Sequence, residues 1–255
     1  LVDYTHPKNA VWGISARDRE QNFALNLLMN PAIDFVTLLG QAGTGKTLLA
    51  RLLVEFLTLA HRRAAGFDIN MSTPSLIDFL PHLTETASIS DTRGEMALMD
   101  RLIVHDGVPK VVDLGYPAYD GFFRMIEEIG FVKEAERRGI EPIVLFMPDR
   151  DALSRVALAD LRTRFPRCAI VPVNNEHVML GDWPREWAQE RALAMPILPG
   201  FLHSYIERMN FSFAGYLRGP NDPSAELHQW IRKIFLGFRE LELNLILHKL
   251  QGSLR

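Results

Sequence analysis

The stretch from Leu38 to Ala50 reads LLGQAGTGKTLLA, and four of its residues fix a spacing. Gly40, Gly45, Lys46 and Thr47 satisfy G-x-x-x-x-G-K-[ST], with Gln41, Ala42, Gly43 and Thr44 between the glycines and Leu48 just beyond. Glycines let successive backbone N–H groups turn inward around phosphate oxygens. A helix beginning at the same place presents the positive end of its dipole to the same anion. In such a loop Lys46 reaches the β- and γ-phosphates and the Thr47 hydroxyl ligates Mg²⁺. The stretch therefore predicts ATP and Mg²⁺ as the bound groups. The alternative is a glycine-rich turn that binds nothing. Context favours the loop, because FVTLLG before it reads as a buried strand and TLLARLLVEFLTLAHRR after it has helical spacing.

Outward from the loop, the chain alternates. AAGFDIN, PKVVDLG, EPIVLFMP and CAIVPVN read as strands. TPSLIDFL, GEMALMDRLIV, YDGFFRMIEEIGFVKEAERRG and RDALSRVALADLRTRF read as helices between them. That rhythm implies parallel pairing through right-handed crossovers, and the near-continuous apolar strands imply a sheet covered on both faces. The expected fold is an α/β, three-layer P-loop NTPase with a mostly parallel sheet and a helical C-terminal extension. Three segments are expected: an N-terminal helical extension over 1–34, the nucleotide-binding core over 35–180, and a helical region over 181–255 packed on the core. In the first, Ser15 and Asp18 form a capping pattern that opens a helix over Ala16–Met29. In the last, Leu227, Ile231, Ile234, Phe238, Leu241 and Leu245 make a heptad-like stripe. The stripe either packs on its own domain or forms a dimer seam.

Magnesium needs an acidic partner beside the loop. Asp113 in KVVDLG stands at the carboxyl end of an apolar strand, where a metal-holding aspartate belongs. Asp68 in GFDIN ends the strand after the loop helix, where it either orients attacking water or simply forms a turn. Lys46, Asp68 and Asp113 are thus the candidate catalytic residues, and Thr47 and Asp113 the candidate metal ligands. Leu114, not Glu, follows Asp113, which points away from ATPases that keep a catalytic glutamate there. Adenine offers both a donor and an acceptor edge, which an amide matches. Asn174 and Asn175 at the end of the last strand are candidates, as is Gln21 on the N-terminal helix. Turn-forming asparagines are the alternative for the pair.

From about Lys46 onward the chain resembles the ParA/MinD-type partition ATPases, on GKTLLARLLVEFL, the Asp of AAGFDIN, VVDLG, IVLFMP and the Asn of VPVN. That resemblance implies that Asp68 helps position water and magnesium, that Asp113 holds the metal through water, and that Asn174 reads adenine. It also implies an ATP-driven switch in protein–protein contacts. The family's signature lysine, five positions before the loop lysine, is Gln41 here, a departure that counts against the cross-dimer mechanism. The first 50 or so residues instead resemble PhoH-like ATPases, on VWGISARDREQNFALNLLMNPAIDFVTLLGQAGTGKTLLA. That resemblance implies adenine contact by Gln21 and an activity coupled to RNA. A chain that changes resemblance at GKTLLA is a fusion, a recombinant or a divergent family.

Bulk properties narrow the classes. Net charge is −3 over 255 residues, which argues against a broad basic nucleic-acid footprint and not against a local patch. One cysteine, Cys168, precludes an internal disulfide and fits a reducing cytoplasm. No apolar run reaches the roughly 18 residues of a membrane span. The eight histidines show no metal-ligand spacing. The expected protein is a cytoplasmic ATPase of low turnover, with a protein partner or homodimer. The alternatives are a PhoH-like ATPase coupled to RNA, a regulatory nucleotide-binding module with little turnover, and a small-molecule kinase using the arginines of RDALSRVALADLRTRFPR.

Overall fold

The computed structural model describes residues 35–40, 43–61, 63–70, 75–187, 190 and 192–253. The expected N-terminal helix with Gln21, and Gln41 and Ala42 of the loop, lie outside the described residues.

Among the described residues seven strands form one sheet in the order β3-β2-β4-β1-β5-β6-β7, and each of their pairings is parallel. They are β1 (Phe35–Gly40), β2 (Ala65–Asp68), β3 (Thr84–Thr86), β4 (Lys110–Asp113), β5 (Pro142–Met147), β6 (Ala169–Asn175) and β7 (Leu193–Met195). Helices connect them: α1 (Lys46–His61), α2 (Leu76–Phe79), α3 (Thr92–Leu102), α4 (Tyr119–Glu128), α5 (Phe131–Arg137), α6 (Ala152–Arg164) and α7 (Glu176–Met179). After β7 come α8 (Gly200–Ile206), α9 (Phe213–Arg218) and α10 (Glu226–Ser253).

The period-2 alternation of the strands divides the core into two. In β5, Ile143, Leu145 and Met147 face a cluster formed with α1 and α10, whereas Val144 and Phe146 face the opposite cluster with α3–α6. Helices on both faces of a parallel sheet make the three-layer α/β architecture of P-loop NTPases.

The stripe on α10 faces inward. Leu227, Ile231, Ile234 and Phe238 are at most 3% exposed, and Phe235 and Phe238 pack on Phe56 of α1 with ring centroids 5.6 and 5.3 Å apart. This supports the packing alternative over the seam: the first four residues of the stripe lie in the chain's own core, and Leu241 and Leu245 pack partly buried against it.

Other boundaries also differ from expectation. The region beyond Gly181, expected to be helical, supplies β7, which pairs with β6 at the sheet edge. Three residues, LAM, are too short to display a strand period. The segment expected as one helix over Tyr119–Gly139 is two, because Gly130 takes φ +63 between α4 and α5. Left-handed backbone interrupts a helix, and glycine adopts it without a Cβ penalty. Strand β3, with sequence TET and two exposed residues, gave no apolar signal.

Candidate functional site

The loop connects β1, in mid-sheet, to α1, so everything around it comes from the carboxyl ends of neighbouring strands. Two glycines shape it. A Cβ on Gly40 would meet Thr44 Oγ1 at 2.5 Å and the Met147 carbonyl oxygen at 2.7 Å, so the turn closes only without one. Gly45 has φ +84 immediately before α1, and Gly43 has φ +82. Thr44 is buried, Gly43 is exposed, and Gly45, Lys46, Thr47 and Leu48 are half-buried.

Strand β4 pairs directly with β1, setting Leu38 opposite Asp113. This brings the Asp113 carboxylate to the first turn of α1, where Thr47 Oγ1 donates to Asp113 Oδ2 at 2.7 Å. Strand β2 pairs with the other side of β4 and sets Asp68 opposite Asp113. The Asp68 carboxylate accepts from the backbone N–H groups of Asn70 (3.1 Å), Ser75 (2.8 Å) and Leu76 (2.9 Å). Three of its roughly four lone-pair sites are therefore engaged by backbone. Ser75 Oγ donates to Thr47 Oγ1 at 3.3 Å, which makes a chain of oxygens from Ser75 through Thr47 to Asp113.

Burial dominates the electrostatics of Asp113. Loss of water pushes its carboxyl up to about 6, and neighbouring Asp68 pushes the same way, while the Thr47 hydroxyl and the Lys46 charge pull down. A buried carboxylate held this way gains from a cation placed beside it. The donor set is hydroxyl and carboxylate oxygen, which suits Mg²⁺, an ion held by one or two carboxylates with waters and phosphates completing its shell. Among the described residues there is no group of three or more His, Cys, Asp or Glu able to hold a metal ion alone, so a His/Cys-type centre is not formed there.

The other side of the loop faces β5 and β6. Asn174 ends in register with Ala194 of β7 and is half-buried. Asn175, one residue on, is 3% exposed and donates from Nδ2 to the Thr44 carbonyl oxygen at 2.9 Å. Its Oδ1 accepts from the His177 N–H at 3.1 Å and caps α7. The structure thus brings Thr47, Asp68 and Asp113 together and places Asn174 off to one side.

Two contacts escaped the sequence reading. Ser75 had no distinguishing signal. The contact of Asn175 was legible only in strand alternation, which puts residues 173 and 175 on one side and 174 on the other. The Tyr116-Pro117-Ala118-Tyr119 segment after Asp113 is a 3-10 turn running into α4, with Tyr116 exposed and the Tyr119 ring tilted against Phe123 at 5.2 Å.

The sheet, its flanking helices and the loop sequence are consistent with a three-layer, P-loop NTPase-like α/β fold. No family model matches the chain. Over 40 residues it is 55% identical to the protein PhoH2 of Bacillus subtilis (strain 168), a stretch that is 16% of this chain and 9% of PhoH2. The chain thus spans under a tenth of the length of that relative. No helix among the described residues is long and apolar enough to cross a membrane.

Proposed function

We propose that the chain is a Mg²⁺-dependent ATP-binding protein that hydrolyses ATP slowly, with a PhoH-like phosphate loop. The observation that carries this is the 2.7 Å bond from Thr47 to Asp113 at the mouth of the loop. It joins the hydroxyl and the carboxylate that a nucleotide-bound magnesium requires. Bound there, magnesium would supply charge neutralisation for the phosphates, held by Thr47 and Asp113. Lys46 would bind the β- and γ-phosphates, and Asp68, fixed by three backbone N–H groups, would orient water. Leu114 follows Asp113 and is fully buried, so no glutamate stands there to polarise the nucleophile; this supports low turnover.

The likeness to PhoH2 favours a PhoH-like ATPase coupled to RNA over a ParA/MinD-like switch. One geometric observation favours the switch reading: Asp68 and Asp113, the two carboxylates that resemblance names, end adjacent paired strands, Asp113 accepting from Thr47 and Asp68 holding the N–H of Ser75, whose hydroxyl meets Thr47.

The test is titration calorimetry with Mg-ATP on the wild type, Lys46→Ala and Gln21→Ala. Binding by the wild type that is lost in Lys46→Ala supports the site, and no binding by the wild type overturns it. A tenfold or greater loss in Gln21→Ala, about 1.4 kcal/mol, assigns adenine to the PhoH-like segment. ATP turnover with and without single-stranded RNA, and sedimentation with ATP against ADP, then separate the two readings.

A further inference from the structure

The contact made by Asn175 has no part in the site as described, and it touches the loop backbone itself. Its side chain is almost fully buried, and both of its polar atoms are engaged, Nδ2 on the Thr44 carbonyl and Oδ1 on the His177 N–H. An amide so occupied does not read a base edge. Its effect falls on one peptide unit. In a trans peptide the carbonyl and the following N–H point in opposite directions. Holding the Thr44 carbonyl toward β6 therefore turns the Gly45 N–H away from β6. Gly45 is the residue at φ +84 whose peptide precedes Lys46 and the first turn of α1. A Cβ there would lie 3.0 Å from Asn175 Nδ2, so the amide also packs directly on the loop.

We propose that Asn175 is a positioning residue for the phosphate loop: its amide fixes the Thr44–Gly45 peptide so that the Gly45 N–H is set for a triphosphate. This rests on the nucleotide reading given above. The consequence is specific. Asn175 acts on phosphate affinity and not on the base, although it sits where a base-reading asparagine is expected.

The test uses Asn175→Ala and Asn175→Asp, with affinity measured for two probes, Mg-ATP and Mg-tripolyphosphate, which has no base. Asp keeps the oxygen that caps α7 and lacks the donor, so a loss shared by both variants traces to the bond with Thr44 and not to the cap. Circular dichroism at the assay temperature establishes that each variant is folded, and if one is not, the other carries the test. The expected result is an equal loss for the two probes, about tenfold or more, in each folded variant. The proposal is overturned if tripolyphosphate affinity is unchanged, if only ATP binding suffers, or if Asn175→Asp binds like the wild type while Asn175→Ala does not. A wild type that binds neither probe overturns the nucleotide reading itself, a result distinct from those three.

Discussion

Asp113 is expected to make the ligand-free protein less stable as pH rises, and Asp113→Asn should remove that dependence. In the folded chain burial raises the carboxyl from its ordinary 3.8 to about 6. A folded state with the higher pKa holds the proton more tightly than the unfolded state does. The stabilisation is complete below about pH 4 and is lost as pH rises through about 6. A shift of roughly two pH units corresponds to roughly 3 kcal/mol, at about 1.4 kcal/mol per unit. Asn keeps an acceptor for Thr47 and carries no charge at any pH. The difference in unfolding free energy between variant and wild type should therefore move by roughly 3 kcal/mol in favour of Asn between pH 4 and pH 7, and then level off. Urea denaturation at several pH values in metal-free buffer measures it. Any constant effect of the substitution cancels in the comparison. A difference that stays flat across that window would falsify the burial argument for Asp113. The same reasoning requires that added Mg²⁺ with ATP narrow the gap at pH 7, because it stabilises only the wild-type carboxylate.

Three further outcomes are expected. Gly40→Ala should lower Mg-ATP affinity about tenfold or more in calorimetry, since its Cβ would sit 2.7 Å from the Met147 carbonyl oxygen and the backbone must shift to admit it; an unchanged affinity contradicts the loop geometry. Arg51→Ala should cost about 3–5 kcal/mol in urea denaturation, because it leaves the Glu55 carboxylate, 3.7 Å from Arg51 Nε, buried without its cation and two carbonyls without their donor; a variant within about 1 kcal/mol of wild type sinks the idea. Phe238→Ala should lose about 3–5 kcal/mol from the core while leaving the sedimenting mass unchanged; a change in mass would restore a seam role for α10.

Local signals carried most of the fold. The loop, its flanking strand and helix, and the aspartates closing β2 and β4 were visible because each is a short pattern with a steric or electrostatic reason. What the sequence hid was pairing. Nothing in KVVDLG says that β4 lies directly against β1, yet that adjacency puts Asp113 within hydrogen-bond reach of Thr47. Asp68, whose sequence allows a water-orienting or a turn-forming carboxylate, is held by the start of α2, a contact set by residues 75 and 76 meeting the strand end. The amides of Asn174 and Asn175 are chemically identical, and only the pleat of β6 decides which one meets the loop. The edge strands β3 and β7, three residues each, lie below the length at which periodicity means anything.

Helix α1 is moored along its length, and that has a mechanical meaning. Near its start, the Arg51 guanidinium lies between the rings of Phe79 and Phe213, at 4.4 and 4.6 Å, and donates to the carbonyls of Ile206 and Phe211. One turn on, Glu55 accepts from Ser212 Oγ at 2.6 Å and from the Ala214 N–H at 2.9 Å. At its end, His61 meets Glu242 of α10 at 3.0 Å. A rod pinned at three heights can neither tilt nor slide when its tip is loaded. It holds the loop in fixed register with the helices that follow β7, so the orientation of the loop is inherited from contacts made far from it in sequence.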